Sequence, residues 1–222
     1  MTAKVIAVLH EKGGVGKTTA AMTLAAGIAE RGLSVMVADC DPQGSAVAWA
    51  SSASPDKPFP AEVLNFSGFG ERLHQEIYPH INSYDVILLD CPPSVHSLSN
   101  HSALLISDLV IIPVCPTPTD FWSLHGLKSL IVGAQAVNQT MRTVLLPTRV
   151  MRTSLSNSIL NNLGHFEIPM MNTRLTSRVA YQEAAISGCS VASLGHPAKV
   201  AAMEVTSLCD EVMDLLVGGV TS

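Results

Sequence analysis

Residues 11–19 read Glu-Lys-Gly-Gly-Val-Gly-Lys-Thr-Thr, and they follow an apolar run, Lys4–His10, with the length and composition of a buried strand. The next segment, Thr18–Arg31, places alanine, leucine and isoleucine at helical spacing and ends beside Gly32. A glycine loop between a strand and a helix lets backbone N–H groups surround an anion at the positive end of the helix. The stretch therefore predicts a phosphate-binding loop within an α/β fold.

The rest of the chain alternates between apolar runs and helical patterns. We predict further strands at Ser34–Ala38, Glu62–Phe66, Asp85–Leu89, Leu109–Val114 and Thr143–Leu146. We predict helices at Gly70–Ile81, Ser97–Ile106, Ser156–Leu163, Arg178–Ser187 and Lys199–Leu216, a loop at Ser51–Pro60, and one more helix capped by Asp120. Strands that are apolar on both faces indicate a mostly parallel sheet with helices on both faces. Ligands bind such sheets at the carboxyl ends of the strands.

Composition narrows the class of protein. The chain has 222 residues, of which 47% are hydrophobic and 14% charged, with a formal net charge of −5. This length predicts one domain over residues 1–222, and the overall negative charge argues against a dedicated nucleic-acid binder. Five cysteines without a C-x-x-C pair favour reduced thiols over a disulfide framework or a zinc site. Since no apolar run approaches the ~20 residues of a membrane span, we expect a cytoplasmic protein.

The glycine loop departs from the standard phosphate-loop pattern. That pattern, G-x-x-x-x-G-K-[ST], requires glycine where this chain has Glu11, and Lys12 is an additional basic residue. In the expected geometry, Lys17 reaches the β- and γ-phosphates and the Thr18 hydroxyl coordinates Mg²⁺. A chance glycine-rich turn with two solvated lysines is the alternative, and the strand and helix around the motif argue against it.

Two acidic motifs follow two other predicted strands. Residues 39–44 read Asp-Cys-Asp-Pro-Gln-Gly, and residues 90–94 read Asp-Cys-Pro-Pro-Ser. Because parallel strands end at the same edge of a sheet, these aspartates are expected near the glycine loop. Either motif alone could be a simple loop cap, so their significance depends on the combination.

Together, the three motifs resemble those of the ParA/MinD family of deviant Walker A ATPases, and residues 107–126 are similar to small ParF-like partition proteins. The resemblance implies a P-loop NTPase fold that binds ATP and Mg²⁺. It implies that Lys12 reaches the phosphates of a dimer partner, that Asp41 positions or activates the attacking water, and that Asp90 holds Mg²⁺ through water. Asp39 is the weaker candidate of its motif. The ATP contacts implied in this way are Gly13, Gly14, Val15, Gly16, Lys17, Thr18 and Thr19, with Thr148 and Arg149 near adenine.

The resemblance also implies an activity. It is that of an ATPase, slow alone and stimulated by a partner, whose ATP-bound dimer binds DNA non-specifically and is released on hydrolysis. A plasmid or chromosome region, joined through a ParB-like or cargo adaptor, is the first candidate cargo, and the protein is then nucleoid-associated when ATP-bound. A protein cargo such as a carboxysome or chemoreceptor cluster, or a nucleotide-gated scaffold with little turnover, is the alternative. With the first strand beginning at Lys4, no N-terminal helix-turn-helix domain is expected, and the acidic end, residues 207–222, predicts no membrane binding.

The net charge conceals a basic segment. Residues 142–199 contain six basic and two acidic residues, a charge of +4, and the remainder carries −9. Such asymmetry is typical of a surface that binds the DNA backbone, for which Arg152, Arg174 and Arg178 are candidates. Ordinary surface arginines or adenine-site residues are the alternative.

Three cysteines, Cys40, Cys91 and Cys115, follow predicted strands. We favour their burial as small apolar residues over a redox role.

Overall fold

A six-stranded parallel sheet forms the centre of the part of the chain that the computed structural model describes, which is residues 2–94, 96–163 and 166–218. Its strands are β1 Lys4–Val8, β2 Val35–Asp39, β3 Glu62–Asn65, β4 Val86–Asp90, β5 Leu109–Val114 and β6 Arg142–Pro147. The order across the sheet is β3-β2-β4-β1-β5-β6, and each neighbouring pair is parallel. The prediction of a mostly parallel sheet is therefore confirmed, and this sheet is parallel throughout.

Helices cover both faces of the sheet, as predicted. They are α1 Lys17–Ala29, α2 Ser45–Ser51, α3 Leu73–Ile77, α4 Leu98–Ile106, α5 Pro118–Gln135, α6 Ser154–Leu163, α7 Val179–Ile186 and α8 Lys199–Val217. Alternate side chains of each strand enter different apolar clusters: Ile6 and Val8 pack with α1, α2, α7 and α8, whereas Ala7 and Leu9 pack with α3 to α6. None of the helices in the described residues is long and apolar enough to span a membrane.

Two local predictions were wrong, and one helix was missed. The helix expected over residues 70–81 is divided into two 3₁₀ turns and the short α3. The α-helix ends at Ile77 because Pro79 lacks the N–H that a continuing α-helix would need. Asp120 does not cap α5, since Thr117 is the N-cap and its hydroxyl accepts the Asp120 N–H at 3.2 Å. Helix α2 was not predicted.

The strand order determines where the functional loops lie. β1 lies between β4 and β5, and β4 separates β1 from β2. Asp39 of β2 is paired in register with Asp90 of β4, and Val8 of β1 is paired with the same Asp90. The loops after these three strands, which carry all three sequence motifs, therefore leave the sheet side by side.

Candidate functional site

The glycine loop connects β1 to α1 without a side-chain cap. Gly14 and Gly16 have φ angles of 78° and 95°, a left-handed conformation that glycine adopts at little cost. Gly16 is the N-cap of α1, and no side chain caps that end of the helix. The free N–H groups at this end, together with the helix dipole, favour an anion such as phosphate.

Lys17 begins α1 and is a buried cation. Only 7% of the residue is exposed, and its Nζ donates a hydrogen bond to the Lys12 carbonyl at 2.9 Å. Burial lowers the pKa of Lys17, and the nearby carboxylates of Asp90 and Asp41 oppose that shift. The side chain also lines the cavity in front of the glycine loop, so an anion bound there would further stabilise the ammonium form.

Thr18 and Asp90, the two predicted metal ligands, are brought together. The Thr18 hydroxyl donates to Asp90 Oδ2 at 2.7 Å. Asp90 is 1% exposed, and burial raises its pKa to about 7, although the Thr18 hydrogen bond opposes this shift. Its other oxygen, Oδ1, is buried without a hydrogen-bond partner within the described structure. A buried carboxylate oxygen of this kind is a suitable acceptor for a bound cation or its water ligands.

The donor set fits Mg²⁺ better than a softer metal. Across the residues that the structure describes, there is no cluster of three or more histidine, cysteine or acidic side chains that could enclose a metal ion. Mg²⁺ commonly binds through one or two protein oxygens and completes its shell with water and substrate phosphates. A hydroxyl and a carboxylate beside a phosphate-binding loop match that requirement.

The two aspartates of the 39–44 motif have different roles in the fold. Asp39 is fully buried, and its carboxylate accepts the Ala46 and Val47 N–H groups at 2.9 and 3.0 Å. It therefore stabilises the N-terminus of α2. Asp41 lines the cavity, and its Oδ1 accepts the Gln43 N–H at 2.9 Å. Of the two, Asp41 is the one available to a ligand.

Lys12 contacts α5 within its own chain. Its Nζ lies 3.2 Å from Asp120 Oδ1 and donates to the Thr119 carbonyl. The Asp120 side chain is 9% exposed and that of Lys12 is 33% exposed. Beside them, burial lowers the pKa of His10 to about 4, so its neutral ring accepts the Lys12 N–H through Nδ1 at 3.0 Å. The Lys12 side chain is thus held against α5 of its own chain.

The cavity in front of the glycine loop has a volume of about 480 Å³. Beyond the glycine loop, Thr18, Thr19 and Asp41, its lining includes Gln43, Ser45 and Pro93, and a wall formed by residues 175–178, 181 and 182. Sequence reasoning named Gln43 and Pro93 only as members of the acidic motifs and Arg178 only as a DNA candidate with an adenine-site alternative, and it missed the other residues of this lining. In the structure, the Leu175 N–H donates to the Pro147 carbonyl and so places the wall at the carboxyl end of β6. The general rule that ligands bind at this edge of a parallel sheet was the signal that could have pointed to the wall.

Thr148 and Arg149, predicted near adenine, line the cavity and also brace the glycine loop. The buried Thr148 hydroxyl donates to the Val15 carbonyl at 2.7 Å. Arg149 donates from Nη1 to the Gly14 carbonyl at 2.6 Å. Its φ of 51° is unusual for a residue with a side chain, and strain of this kind tends to occur at functional sites.

The candidate DNA-binding arginines have different environments. Arg152 and Arg174 are exposed. Arg178 lines the cavity, and its Nε donates to Glu204 Oε1 at 3.0 Å. Arg142, in the same basic segment, donates to the Leu215 and Gly218 carbonyls at the C-terminal end of α8.

The cysteines after the strands have the environment of small apolar residues. Cys40 and Cys91 are buried, and burial raises the pKa of both thiols. Cys115 is half-buried, with its Sγ 3.8 Å from the Val15 carbonyl oxygen.

Comparison with known proteins extends over nearly the whole chain. A family model described as an AAA domain matches residues 3–67 and 58–146. The maintenance of carboxysome distribution protein A of Halothiobacillus neapolitanus is 28% identical over 94% of this chain and 95% of its own, and that of Gloeobacter kilaueensis is 32% identical over 85% and 83%. The sporulation initiation inhibitor protein Soj of Bacillus subtilis is 30% identical over 72% and 76%.

Solved structures share the fold. An ATP complex of a Cyanothece McdA variant aligns with a TM-score of 0.79 at 15% identity, covering 96% of this chain and 97% of its own. The cell division ATPase MinD of Pyrococcus furiosus aligns with a TM-score of 0.75 at 19% identity, covering 96% and 99%.

Proposed function

Because this chain belongs to the ParA/MinD family of P-loop ATPases, we propose that it is a positioning ATPase that cycles between an ATP-bound, DNA-associated dimer and a released form. The observation that carries this proposal is the hydrogen bond from Thr18, which lines the cavity with Lys17, to the buried Asp90 behind it. These residues supply an anion site and a cation site next to each other, as a Mg²⁺-nucleotide requires.

The residues of the cavity have distinct parts in hydrolysis. The backbone N–H groups of residues 13–19 and the Lys17 ammonium hold the phosphates. Thr18 and Asp90 would hold Mg²⁺, which would supply positive charge to offset the negative charge on the phosphate oxygens. Asp41 accepts a hydrogen bond from the attacking water and orients it. The water oxygen forms a bond to the γ-phosphorus as the bond to the bridging oxygen breaks, which yields ADP and inorganic phosphate.

Lys12 makes hydrolysis dependent on a second copy of the chain. In the dimer that we propose, it leaves Asp120 and adds positive charge at the partner's γ-phosphate, where charge develops in the transition state. The cost of breaking the ion pair with Asp120 supports slow turnover by the protein alone. A partner that favours the released position of Lys12 would stimulate hydrolysis.

The basic segment supports non-specific DNA binding by the dimer. Residues 142–199 carry a charge of +4, and Arg152 and Arg174 are exposed within it. A dimer doubles this charge, and contacts to phosphates alone give affinity without sequence preference. Arg178 is the weakest of the three candidates, because it lies in the cavity wall and pairs with Glu204.

The similarity to two carboxysome-distribution proteins favours a large protein assembly as the cargo, joined through an adaptor protein. A plasmid or chromosome region is the second candidate, favoured by the similarity to Soj and to a chromosome-partitioning ParA. Co-purification of the ATP-bound protein under crosslinking distinguishes them, since the adaptor brings either a protein assembly or a specific DNA region.

A gel-shift measurement tests the cycle. We expect the protein to shift DNA of unrelated sequences with ATP and Mg²⁺, and to lose this binding with ADP, without nucleotide, or as salt is raised. Asp41→Ala should bind DNA with ATP but fail to release it. DNA binding that is identical in all nucleotide states would contradict the proposal.

A further inference from the structure

The Glu204 side chain on α8 is mostly shielded from solvent and accepts hydrogen bonds from the wall of the cavity, residues 175–178, 181 and 182. We propose that Glu204 is a positioning residue for the nucleoside part of ATP, which it serves by fixing Thr176, Arg178 and Tyr181 in that wall. The inference rests on the proposed function, because it takes ATP as the ligand of the cavity.

Four donors converge on this one carboxylate. Oε2 accepts the Thr176 N–H at 3.1 Å and the Tyr181 hydroxyl at 2.7 Å. Oε1 accepts the Thr176 hydroxyl at 2.7 Å and Arg178 Nε at 3.0 Å. The Glu204 side chain is only 14% exposed, so these donors replace most of its water. Hydrogen bonds to an ionised acceptor are about twice as strong as neutral ones, and they therefore fix the geometry of the wall.

Thr176, Arg178 and Tyr181 all line the cavity, whereas Glu204 lies behind them and is not part of the lining. The phosphates are assigned to residues 13–19, so the nucleoside is left for the remainder of the lining. Tyr181 and Arg178 carry planar groups that can pack against a purine ring. Burial raises the pKa of the Tyr181 phenol, and the bond to Glu204 adds to that shift, so the hydroxyl remains a donor.

The same helix contains a matched control. Glu211, seven residues later on α8, accepts the Asn172 and Thr173 N–H groups at 2.7 and 2.8 Å. Both glutamates thus hold the segment that leads into the wall. Asn172 and Thr173 are outside the cavity lining, however, so Glu211 supports the fold of the segment without touching the proposed nucleoside site.

The test compares two ligands, ATP and inorganic triphosphate, which shares the phosphates and lacks the nucleoside. For both Glu204→Ala and Glu204→Gln, we expect the Kd for Mg²⁺-ATP to rise about ten-fold and the Kd for Mg²⁺-triphosphate to stay within two-fold. The KM for ATP should rise equally, while kcat at saturating ATP is retained. Glu211→Gln should leave both Kd values unchanged even if it lowers the melting temperature.

A double substitution separates positioning from general destabilisation. Because Arg178 is one of the three residues that Glu204 fixes, Glu204→Gln combined with Arg178→Met should weaken ATP binding by less than the two separate effects added together. Equal weakening of ATP and triphosphate binding, additive effects of the two substitutions, or an unchanged Kd for ATP would each overturn the inference. Failure of the unsubstituted protein to bind ATP would overturn the proposed function as well, and is thus a distinct result.

Discussion

Asp90 is buried at a place where a carboxylate is costly. Its Oδ1 lacks a hydrogen-bond partner within the described structure, and burial raises its pKa to about 7. An acid is retained in such a position when a cation compensates for its charge. We therefore expect Asp90→Asn to fold normally and to bind nucleotide, but to hydrolyse ATP about 10²–10³-fold more slowly, a typical loss for one preorganised electrostatic group.

Hydrolysis by Asp90→Asn, measured by phosphate release across a Mg²⁺ titration, checks this expectation. Asp39→Asn is the matched control, because Asp39 is also buried at a strand end but holds α2. It should lower stability rather than change the Mg²⁺ dependence. A normal Mg²⁺ dependence for Asp90→Asn would remove Asp90 from the metal site.

Lys12 contacts Asp120 of its own chain in this structure, whereas its proposed role places it at the phosphates of a partner. The Lys12–Asp120 ion pair is screened by solvent only at its lysine end, which is one-third exposed, and such a pair contributes on the order of 1 kcal/mol. Each of the two subunits releases one Lys12, so Asp120→Asn should lower the protein concentration at which the ATP-bound dimer forms by up to about 30-fold, the effect of two such ion pairs. Analytical ultracentrifugation with ATP measures this change.

The control for that experiment is Asp108→Asn. Asp108 pairs with Lys4 at 3.0 Å in a more exposed lysine–aspartate ion pair on another part of the molecule. Its substitution should leave dimerisation unchanged. If Asp120→Asn also leaves dimerisation unchanged, or if Lys12→Ala dimerises and hydrolyses normally, the proposed release of Lys12 is wrong.

At the scale of elements, α8 stabilises the segment that leads into the cavity wall. Burial alone would raise the pKa of Glu211, but hydrogen bonds from Thr173 and Asn172 outweigh it and lower the pKa below 4.5. A carboxyl group with a lowered pKa stabilises the fold fully above about pH 4.5, its unfolded value, and loses that contribution as the pH falls through the folded value.

We therefore expect Glu211→Gln to lower the melting temperature at pH 7 by roughly 4 °C, which corresponds to losing about 1–2 kcal/mol. The difference from the unsubstituted protein should shrink as the pH falls below 4.5. Asp210→Asn, the adjacent residue on α8, removes an exposed ion pair with Arg31 and should have little effect. A melting-temperature difference that is independent of pH would contradict the role of the Glu211 charge.

The elements that sequence could predict are those with local causes. Strands such as Val86–Asp90 are continuous apolar runs because both faces are buried, and their bounds agree with prediction within one or two residues. Helix α2 was missed because the residue that stabilises its N-terminus, Asp39, lies seven residues before Ala46 in sequence. The motif between Asp39 and the helix has the composition of a loop. Pro79 was a local sequence signal that the helix ends near residue 77, but the helical spacing of the apolar residues around it favoured a longer helix.

The same distinction applies to the candidate site. Each of the three motifs is a contiguous stretch of sequence, so the glycine loop itself predicts the phosphate site, and the family resemblance of all three motifs implies the roles of Asp41 and Asp90. The cavity wall depends on contacts between distant residues, such as Leu175 with Pro147 and Tyr181 with Glu204. No periodicity or motif encodes such contacts, and the assignment of residues 1–222 to one domain likewise stays a prediction.

At the scale of the whole molecule, the net charge of −5 and the basic segment 142–199 make opposite predictions about DNA. Binding to DNA depends on the basic segment and not on the net charge if the exposed arginines of the segment contact phosphates. Each such contact releases counterions from the DNA, and this release provides the affinity. The slope of log K against log salt is about −0.9 per phosphate contact. In a dimer, each arginine position contributes twice.

We therefore expect Arg174→Gln to weaken DNA binding in the presence of ATP for every sequence tested and to reduce the magnitude of the salt slope by about 1.8, which corresponds to two lost contacts. Arg72→Gln is the matched control, since Arg72 is an exposed arginine outside the basic segment. Fluorescence anisotropy with two unrelated duplexes at several salt concentrations measures both slopes. Equal slopes for Arg174→Gln and the unsubstituted protein would mean that the DNA contacts a different surface, and loss of binding to only one duplex would indicate base recognition instead of contacts to the backbone.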